Sequence, residues 1–298
     1  MHIVYISDGK AGHRSQALGL FQAIQKQQQA ILTEIPIQDL AIFSLLQKIL
    51  TAQALSSLSP PTFIIGVGSH THLRVWLLGK IYPQAKTVIL MKPGLPIGLF
   101  DYAIIPAHDG RISRHNVLLT QGALNPIENQ HRHQIHRVLI ALGGHSKRHR
   151  WNDDKVMQTI EQIIQNNPQA DVWLTTSRRT PAEFLQKLRQ HTVASALQIF
   201  PVEQTAQGWI FEQMQLAQAV WVTEDSVSMM YEALTAGCQV GVILVDRVKQ
   251  DRITQSVDDL LQQQIVSTTT QLAQLPQAKT FKEAERVATY LLKSYSGN

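Results

Sequence analysis

An apolar strand that runs into a glycine turn and then into a helix start occurs twice in this chain, once in each half. The first example is His2–Ile6 followed by Ser7–His13, and the second is Val138–Leu142 followed by Gly143–Lys147. In α/β proteins, a buried strand, a tight glycine turn and a polar helix start form a ligand crevice at the carboxyl end of a parallel sheet. Two such starts predict two similar α/β domains.

Apolar runs of strand length alternate with helical stretches in both halves, which is typical of βαβ units and parallel sheets. We therefore predict an α/β fold of two Rossmann-like domains facing across a cleft, with one substrate bound to each. The expected domains are 1–124 and 138–298, joined by a polar connection at 125–137. We expect the final helix, Phe281–Tyr295, to pack back across the domain junction.

The predicted strands are His2–Ile6, Ile31–Ile35, Thr62–Val67, Thr87–Met91, Tyr102–Ile105, Val138–Leu142, Asp171–Thr175, Leu197–Pro201, Ala219–Thr223 and Val240–Val245. The predicted helices before the final one are Arg14–Lys26, Ile42–Leu55, His70–Lys80, Asp153–Gln165, Pro181–Gln190, Gly208–Ala217, Ser226–Ala236 and Ser256–Gln263.

Composition narrows the class of partner. The 298 residues are 44% hydrophobic and 16% charged, as in folded soluble proteins, and the net charge of +5 favours anionic ligands such as nucleotide phosphates or anionic lipids. Nucleic acid is not expected, because the chain has no long Lys/Arg run and only 6% aromatic residues. One cysteine, no secretory signal and no long apolar run predict a cytoplasmic protein, with room for peripheral contact with the inner membrane.

Two loops that follow strands in the second half carry groups suited to binding a diphosphate. Gly143 and Gly144 permit close approach of the backbone to a ligand, and Lys147 adds positive charge beside them. In Thr175–Pro181, Arg178 and Arg179 supply two guanidinium groups at the same crevice edge, which suit bidentate phosphate binding, and Arg178 is the one that we expect at the donor. The hydroxyls of these two loops that we expect at the donor are Ser146 and Ser177.

A third loop opens a helix after the strand that ends at Thr223. Asp225 or Ser226 can cap this helix, and Ser228 lies in its first turn. The free N–H groups and the helix dipole there favour an anion, and Glu232 lies farther along, where its carboxylate could meet ribose hydroxyls. An ordinary capped helix is the alternative interpretation, and Asp225 adds negative charge that opposes a phosphate.

In the first half, polar side chains follow three predicted strands. Asp8 and His13 come after the first strand, and a His–Asp pair can act as a general base because imidazole titrates near neutral pH. The residues that we expect on the acceptor side are Gly68, Ser69, His108 and Asp109. The histidines between 131 and 149 lack cysteine or acidic partners at metal-site spacings, so we expect neither a metal nor a cofactor.

Six segments form an ordered set that spans almost the whole chain: Asp8–Leu20, Phe100–Asp109, Gly122–Asn125, Leu142–Gly144, Thr175–Pro181 and Thr223–Met229. They resemble the motifs of the plant mitochondrial-fission-factor family and its bacterial relatives. The resemblance implies a GT-B-like fold in which the C-terminal domain binds a nucleotide-sugar donor. The plant role in recruiting a dynamin-like GTPase does not follow from the family name alone.

These observations lead to the hypothesis of a metal-independent GT-B glycosyltransferase that acts on a cell-envelope glycan or glycolipid. Asp8 or His13 is the candidate general base. A retaining mechanism would need no base, and the sequence leaves the stereochemistry open. Two alternatives remain: a nucleotide-sugar epimerase, and a non-catalytic adaptor of the same fold that binds a protein partner or a membrane.

Overall fold

The structure is a computed structural model that describes residues 1–56, 58–110 and 113–296. Its contacts divide the chain into two compact units. The first unit comprises Met1–Pro126 together with Lys282–Asn298, and the second comprises Ile127–Phe281.

The first unit is built on a six-stranded parallel sheet of order β2-β1-β3-β4-β5-β6. Its strands are β1 (His2–Ser7), β2 (Ile31–Pro36), β3 (Phe63–Val67), β4 (Lys86–Leu90), β5 (Tyr102–Pro106) and β6 (Val117–Thr120). Its helices within Met1–Pro126 are α1 (Ala11–Gln27), α2 (Ile42–Leu50) and α3 (His72–Ile81).

Helices cover both faces of this sheet, so the central strands are apolar on both sides. In β1, Ile3 and Tyr5 point to one core cluster, whereas Val4 and Ile6 point to the other. This alternation follows from the two-residue period of a strand. The first cluster packs against α1, and the second packs against α2 and α3.

The second unit is built on a five-stranded parallel sheet of order β10-β9-β7-β11-β12 and a short antiparallel pair, β8 with β13. Its strands are β7 (Gln134–Ala141), β8 (His149–Arg150), β9 (Asp171–Thr175), β10 (Leu197–Phe200), β11 (Ala217–Thr223), β12 (Gln239–Ile243) and β13 (Asp246–Arg247). Its helices are α4 (Asp153–Asn166), α5 (Ala182–Gln190), α6 (Trp209–Leu216), α7 (Val227–Ala236) and α8 (Arg252–Gln262).

The final helix, α9 (Glu283–Ser296), returns to the first unit, where it packs against α1. Val287 and Leu291 are fully buried in the same core cluster as α1. At its start, Glu283 Oε2 accepts a hydrogen bond of 2.9 Å from the backbone N–H of Gln121. Helix α9 thus completes the core of the first unit.

The predicted fold class, α/β with parallel sheets, is confirmed. The sequence did not predict β6 or the pair of β8 and β13, because these strands are short and partly polar. Helix α2 ends at Leu50, not Leu55, and β7 begins at Gln134, inside the expected connection. The expected connection was wrong at that end because the first half of β7 is exposed and therefore polar.

Candidate functional site

Three loops of the second unit meet at one edge of its sheet. They follow β7, β9 and β11, which are adjacent in the order β9-β7-β11, and the strands are parallel, so their carboxyl ends lie together. This edge is the usual ligand crevice of an open α/β sheet. The structure therefore brings together the three loops that the sequence singled out.

The two glycines after β7 serve close packing of these loops. The N–H of Gly143 donates to Thr223 Oγ1 at 2.6 Å, and the N–H of Gly144 donates to Asp225 Oδ2 at 3.0 Å. A Cβ on Gly144 would lie 1.9 Å from the carbonyl oxygen of Arg179. Both amides are thus hydrogen-bonded within the protein.

Arg179 joins all three loops. Its Nη1 contacts Asp225 Oδ2 at 2.7 Å and donates to the carbonyl oxygen of His145 at 3.1 Å, while its Nη2 donates to Ser226 Oγ at 2.9 Å. The side chain of Asp225 is fully buried, and its Oδ1 has no hydrogen-bond partner among the described residues. The charge of Arg179 compensates the buried carboxylate, so Asp225 opposes an anion less than the sequence indicated.

The sequence selected Arg178, but Arg179 is the guanidinium that the structure holds against the loops. Arg178 and Lys147 are exposed, and neither makes a hydrogen bond or an ion pair within the described part of the chain. They remain available as exposed cations at the rim of the three loops. The hydroxyls serve the loops themselves: Ser177 donates to the carbonyl oxygen of Gly143 at 2.8 Å, and Ser146 Oγ accepts the N–H of His149 at 3.0 Å.

The N-terminus of α7 opens at the same edge. Ser226 is its N-cap residue, but no side chain caps the helix, because Ser226 Oγ is bound by Arg179. The first N–H groups of an uncapped helix keep their partial positive charge and favour an anion. Ser228 is exposed in this first turn. The alternative of an ordinary side-chain-capped helix is therefore not what the structure shows.

Glu232 lies one turn beyond Ser228 on the same face of α7, since residues four apart are neighbours on a helix. It is partly buried, and its carboxylate has no hydrogen-bond partner among the described residues. Burial raises the pKa of Glu232 to about 7. A partly buried carboxylate without a partner is suited to accept hydrogen bonds from a ligand.

The loop after β11 is also held by a cluster of ion pairs that the sequence did not predict. Glu224, next to Asp225, is buried and ion-paired with Arg247, which also holds Asp258 at 2.6 Å. Hydrogen bonds and charge from these two carboxylates raise the pKa of Arg247. The neighbouring His149 is buried, and burial lowers its pKa against the attraction of Glu224. The paired β8 and β13, which carry His149 and Arg247, bring these groups together.

In the first unit, Asp8 and His13 form a close pair at the carboxyl end of β1. His13 Nδ1 lies 3.0 Å from both oxygens of Asp8, and the N–H of Lys10 donates to Asp8 Oδ1 at 3.3 Å. Burial acts to raise the pKa of Asp8, but the hydrogen bonds from His13 and Lys10 outweigh it and hold the pKa below its usual value. The ionised Asp8 therefore binds the proton on Nδ1, and Nε2 is left to accept a proton.

Gly68 shapes the pocket of this imidazole. It follows β3, the neighbour of β1, and a Cβ at Gly68 would lie 2.3 Å from His13 Cε1. Its φ of +83° is also one that glycine adopts without strain. Gly68 thus lets the ring of His13 sit against the loop, whereas Ser69 is exposed in the following turn.

His72, which the sequence did not select, is buried at the start of α3. Its Nδ1 accepts a hydrogen bond of 3.4 Å from the N–H of Gly94, and its Nε2 has no partner among the described residues. Burial, followed by the charge of nearby His13, lowers the pKa of His72. His72 is therefore a neutral neighbour of the Asp8–His13 pair.

His108 and Asp109 follow β5, and β3 and β4 lie between β5 and β1. At the usual spacing of strands, this places them roughly 14 Å from the Asp8–His13 pair along the sheet edge. Asp109 Oδ2 accepts the N–H of Lys92 at 3.4 Å, and His108 Nε2 lies 3.5 Å from Asp109 Oδ1. They occupy the expected edge but form a separate group.

Of the histidines in the expected connection, His133 contacts the backbone through its side chain, whereas His131 and His136 donate hydrogen bonds through their backbone N–H groups. His133 Nδ1 lies 2.7 Å from the carbonyl oxygen of Ala217, and His136 lies in β7. Among the described residues, three or more His, Cys, Asp or Glu side chains are nowhere grouped to hold a metal ion. Within the same residues, none of the helices combines the length and the apolar character needed to cross a membrane.

The architecture of the two α/β units is shared by solved structures of the GT-B fold, which includes glycosyltransferases and epimerases. A UDP-GlcNAc 2-epimerase from Methanocaldococcus jannaschii is 11% identical with a TM-score of 0.56, covering 98% of this chain and all of that one (100%). MurG of Acinetobacter baumannii is 13% identical with a TM-score of 0.52, covering 98% and 90% of the two chains. At these identities the similarity shows the fold alone, which defines the class as GT-B.

The chain belongs to the mitochondrial fission ELM1 family, whose sequence model matches residues 11–295. The resemblance to this family inferred from the motifs is thereby confirmed. A curated relative, the uncharacterized protein RP120 of Rickettsia prowazekii (strain Madrid E), is 24% identical over 343 residues and covers 97% of each chain.

Proposed function

We propose that the protein is a metal-independent glycosyltransferase that moves a sugar from a nucleotide-sugar donor to a hydroxyl of a cell-envelope glycan or glycolipid. The observation that carries the proposal is the Asp8–His13 pair, in which both carboxylate oxygens lie 3.0 Å from Nδ1 and Nε2 is left to act as the base. Histidine held by a carboxylate is a common general base, and it suits deprotonation of an acceptor hydroxyl near neutral pH.

The first unit binds the acceptor in this proposal, and the second binds the donor. The uncapped N-terminus of α7 receives the diphosphate, with Arg179 fixed beside it and Arg178 and Lys147 free at the rim. Helix N–H groups and guanidinium groups stabilise the negative charge that develops on a leaving diphosphate. Glu232 accepts hydrogen bonds from the ribose hydroxyls.

The transfer proposed is a single displacement. The acceptor oxygen forms a bond to the anomeric carbon of the sugar while the bond from that carbon to the diphosphate oxygen breaks. The acceptor proton passes to His13 Nε2, and the electron pair of the broken bond stays on the leaving nucleoside diphosphate. Asp8 stabilises the imidazolium that results, since its carboxylate is ionised at neutral pH.

The proposal is tested first by thermal unfolding in the presence of nucleotides and nucleotide sugars. A ligand that binds only the folded protein raises its apparent stability with occupancy, so one base and one sugar should stand out. Release of nucleoside diphosphate from that donor is then measured with a membrane glycan extract as acceptor. His13→Gln should abolish release, and the matched control His70→Gln, an exposed histidine of the same unit, should not.

Two outcomes would replace this function. Conversion of the donor sugar without any acceptor would favour an epimerase, a candidate because the GT-B epimerase from M. jannaschii aligns over its full length. An unchanged unfolding temperature with every nucleotide would favour a non-catalytic adaptor. Turnover that survives both His13→Gln and Asp8→Asn, with donor binding intact, would remove the proposed base.

A further inference from the structure

Helix α2 carries an apolar surface that the core of the first unit does not cover. Phe43, Leu46 and Leu50 are 81%, 44% and 87% exposed, and Ile42 beside them is 37% exposed. Only Leu45 of this helix is buried, in the cluster shared with α3. We call the surface formed by Ile42, Phe43, Leu46 and Leu50 the α2 face.

The exposed side chains form one stripe. At 100° per residue, the apolar positions of α2 span an arc of about 160°, and the α2 face takes the part of that arc turned away from Leu45. A helix that only needed to close the core would carry polar residues there. Contiguous exposed apolar side chains of this kind mark an interaction surface.

Cations outnumber carboxylates around the α2 face, although the exposed Asp39 lies three residues before Ile42 and Asp101 lies near Lys80. Between Asp39 and Asp101 the sequence has no Asp or Glu, but it has five cations: Lys48, Arg74, Lys80, Lys86 and Lys92. Lys48 lies on α2 itself, and Lys80 lies exposed on α3, which packs beside α2. The Nζ of Lys80 is 5.9 Å from the ring centroid of Trp76, and tryptophan is enriched at membrane–water interfaces.

We propose that the α2 face docks on a lipid bilayer with anionic headgroups. Apolar side chains on one face of a helix, flanked by an excess of cations, bind such a surface by burial and by electrostatic attraction together. A second copy of the chain is a poorer occupant, because a symmetric pair would place Lys48 and Lys80 against the same cations of the other copy.

The position of α2 fits a lipid-linked acceptor. Helix α2 begins shortly after the carboxyl end of β2, and Pro36 at that end is paired with Ser7, the residue before Asp8. Arg74 fixes this start by donating to the carbonyl oxygens of Ile37 and Leu40 at 3.1 and 2.9 Å. A bilayer on the α2 face would therefore lie beside the carboxyl edge of the sheet that holds His13, the candidate base. This link to a lipid-linked acceptor rests on the proposed function, whereas docking itself does not.

The test uses the full chain and sedimentation with vesicles of phosphatidylcholine alone or mixed equally with phosphatidylglycerol. The protein should sediment with the mixed vesicles, and less so in high salt. The triple variant Phe43→Ser, Leu46→Ser, Leu50→Ser should bind at least about 1,000-fold more weakly, because burying each apolar side chain contributes about 1.5–3 kcal/mol. The matched control is Ile31→Ser, which changes a 69% exposed residue of β2 and should bind as the unaltered chain does.

A second measurement does not depend on the triple variant folding. The natural cysteine, Cys238, is buried, so Leu50→Cys can be labelled selectively with a polarity-sensitive dye, with Ile31→Cys as the control. Mixed vesicles should shift the emission of the dye at position 50 to shorter wavelength and leave the dye at position 31 unchanged.

Equal shifts at both positions, no sedimentation of the unaltered chain with mixed vesicles, or equal binding of the triple variant would each overturn the proposal. So would a dimer in solution that the triple variant converts to a monomer while vesicles are ignored. Vesicle binding is measured without turnover. A chain that does not bind vesicles could therefore still be a transferase, and a chain without transferase activity could still bind vesicles.

Discussion

Arg179 Nη1 lies 2.7 Å from Oδ2 of Asp225, and through this contact a partly exposed cation neutralises a fully buried carboxylate. The pair explains how an acidic residue can stand at the start of α7 without repelling an anion there. It also fixes the three loops relative to one another, because the same guanidinium binds Ser226 and the backbone of His145.

Replacing Arg179 should therefore cost stability, whereas replacing its neighbour should not. Arg179→Ala leaves Asp225 buried without its counter-charge, and we expect the free energy of unfolding to fall by about 1–3 kcal/mol, less than for a fully buried pair because the guanidinium reaches solvent. Arg178→Ala is the matched control and should leave stability unchanged while weakening nucleotide binding. Denaturant unfolding of both variants checks this. Equal stability of the two would show that the Arg179–Asp225 contact contributes nothing.

Asp8→Asn should separate binding from turnover. An amide cannot hold Nδ1–H of His13 as the carboxylate does, so Nε2 no longer stands ready to accept a proton, and turnover should fall by about 10²–10⁴-fold with donor affinity unchanged. Because the folded pKa of Asp8 is lowered, its contribution to stability is present above its unfolded pKa of about 4 and is lost as pH falls through the folded value. The stability difference between Asp8→Asn and the unaltered chain should shrink on acidification in that window, and a difference that grows there would contradict the assignment.

The contribution of Glu232 to stability should change with pH in the opposite direction to that of Asp8. Its folded pKa of about 7 lies above the unfolded value of about 4.3, so the folded protein holds the proton more tightly and loses stability as pH rises from about 4 to 7. Glu232→Gln removes this loss and should be more stable than the unaltered chain at pH 8, by about 3–4 kcal/mol, but equal to it at pH 4. Thermal unfolding across this range measures the effect. The same substitution should weaken nucleotide binding, and Glu212→Gln, which changes an exposed carboxylate of α6, serves as the control for both.

Gly19 should tolerate no side chain, in contrast to Gly12 of the same helix. A Cβ on Gly19 would lie 2.4 Å from the carbonyl oxygen of Asn125, whereas a Cβ on Gly12 meets nothing within 4 Å. We expect Gly19→Ala to destabilise the protein by about 1–3 kcal/mol through overpacking, and Gly12→Ala to be neutral or slightly stabilising through helix propensity. Equilibrium unfolding of the two variants provides the measurement. If Gly19→Ala left the free energy of unfolding unchanged, the backbone at Asn125 would be able to shift at little cost, contrary to this prediction.

The fold was largely predictable because its signal is periodic. Buried strands such as β1, β3 and β11 appear as continuous apolar runs, and the glycines that follow them mark the carboxyl edge of each sheet. The pair of β8 and β13 has two residues in each strand, which is too short for any pattern. Helix ends were the least accurate, as for α2, where the chain stays apolar beyond Leu50.

The candidate site was predictable as a set of loops but not atom by atom. Whether Arg178 or Arg179 turns inward depends on the exact path of the loop. The sequence does not show that path, because the two neighbours carry the same side chain. Gly143 and Gly144 lie where the three loops meet, but their amides are used by Thr223 and Asp225, which lie far along the sequence. Long-range partners of this kind, like Arg247 for Glu224, have no local signature.

The return of α9 to the first unit has a consequence for the order of folding during synthesis. The second unit is one continuous segment, Ile127–Phe281, and all of it emerges from the ribosome before α9 does. Val287 and Leu291 fill the core beneath α1, so the first unit keeps an open apolar face until α9 has been synthesised. Domains usually fold in the order in which they are made; here the later-made unit can finish first, and a ribosome that stalls before residue 283 leaves the earlier one unfinished.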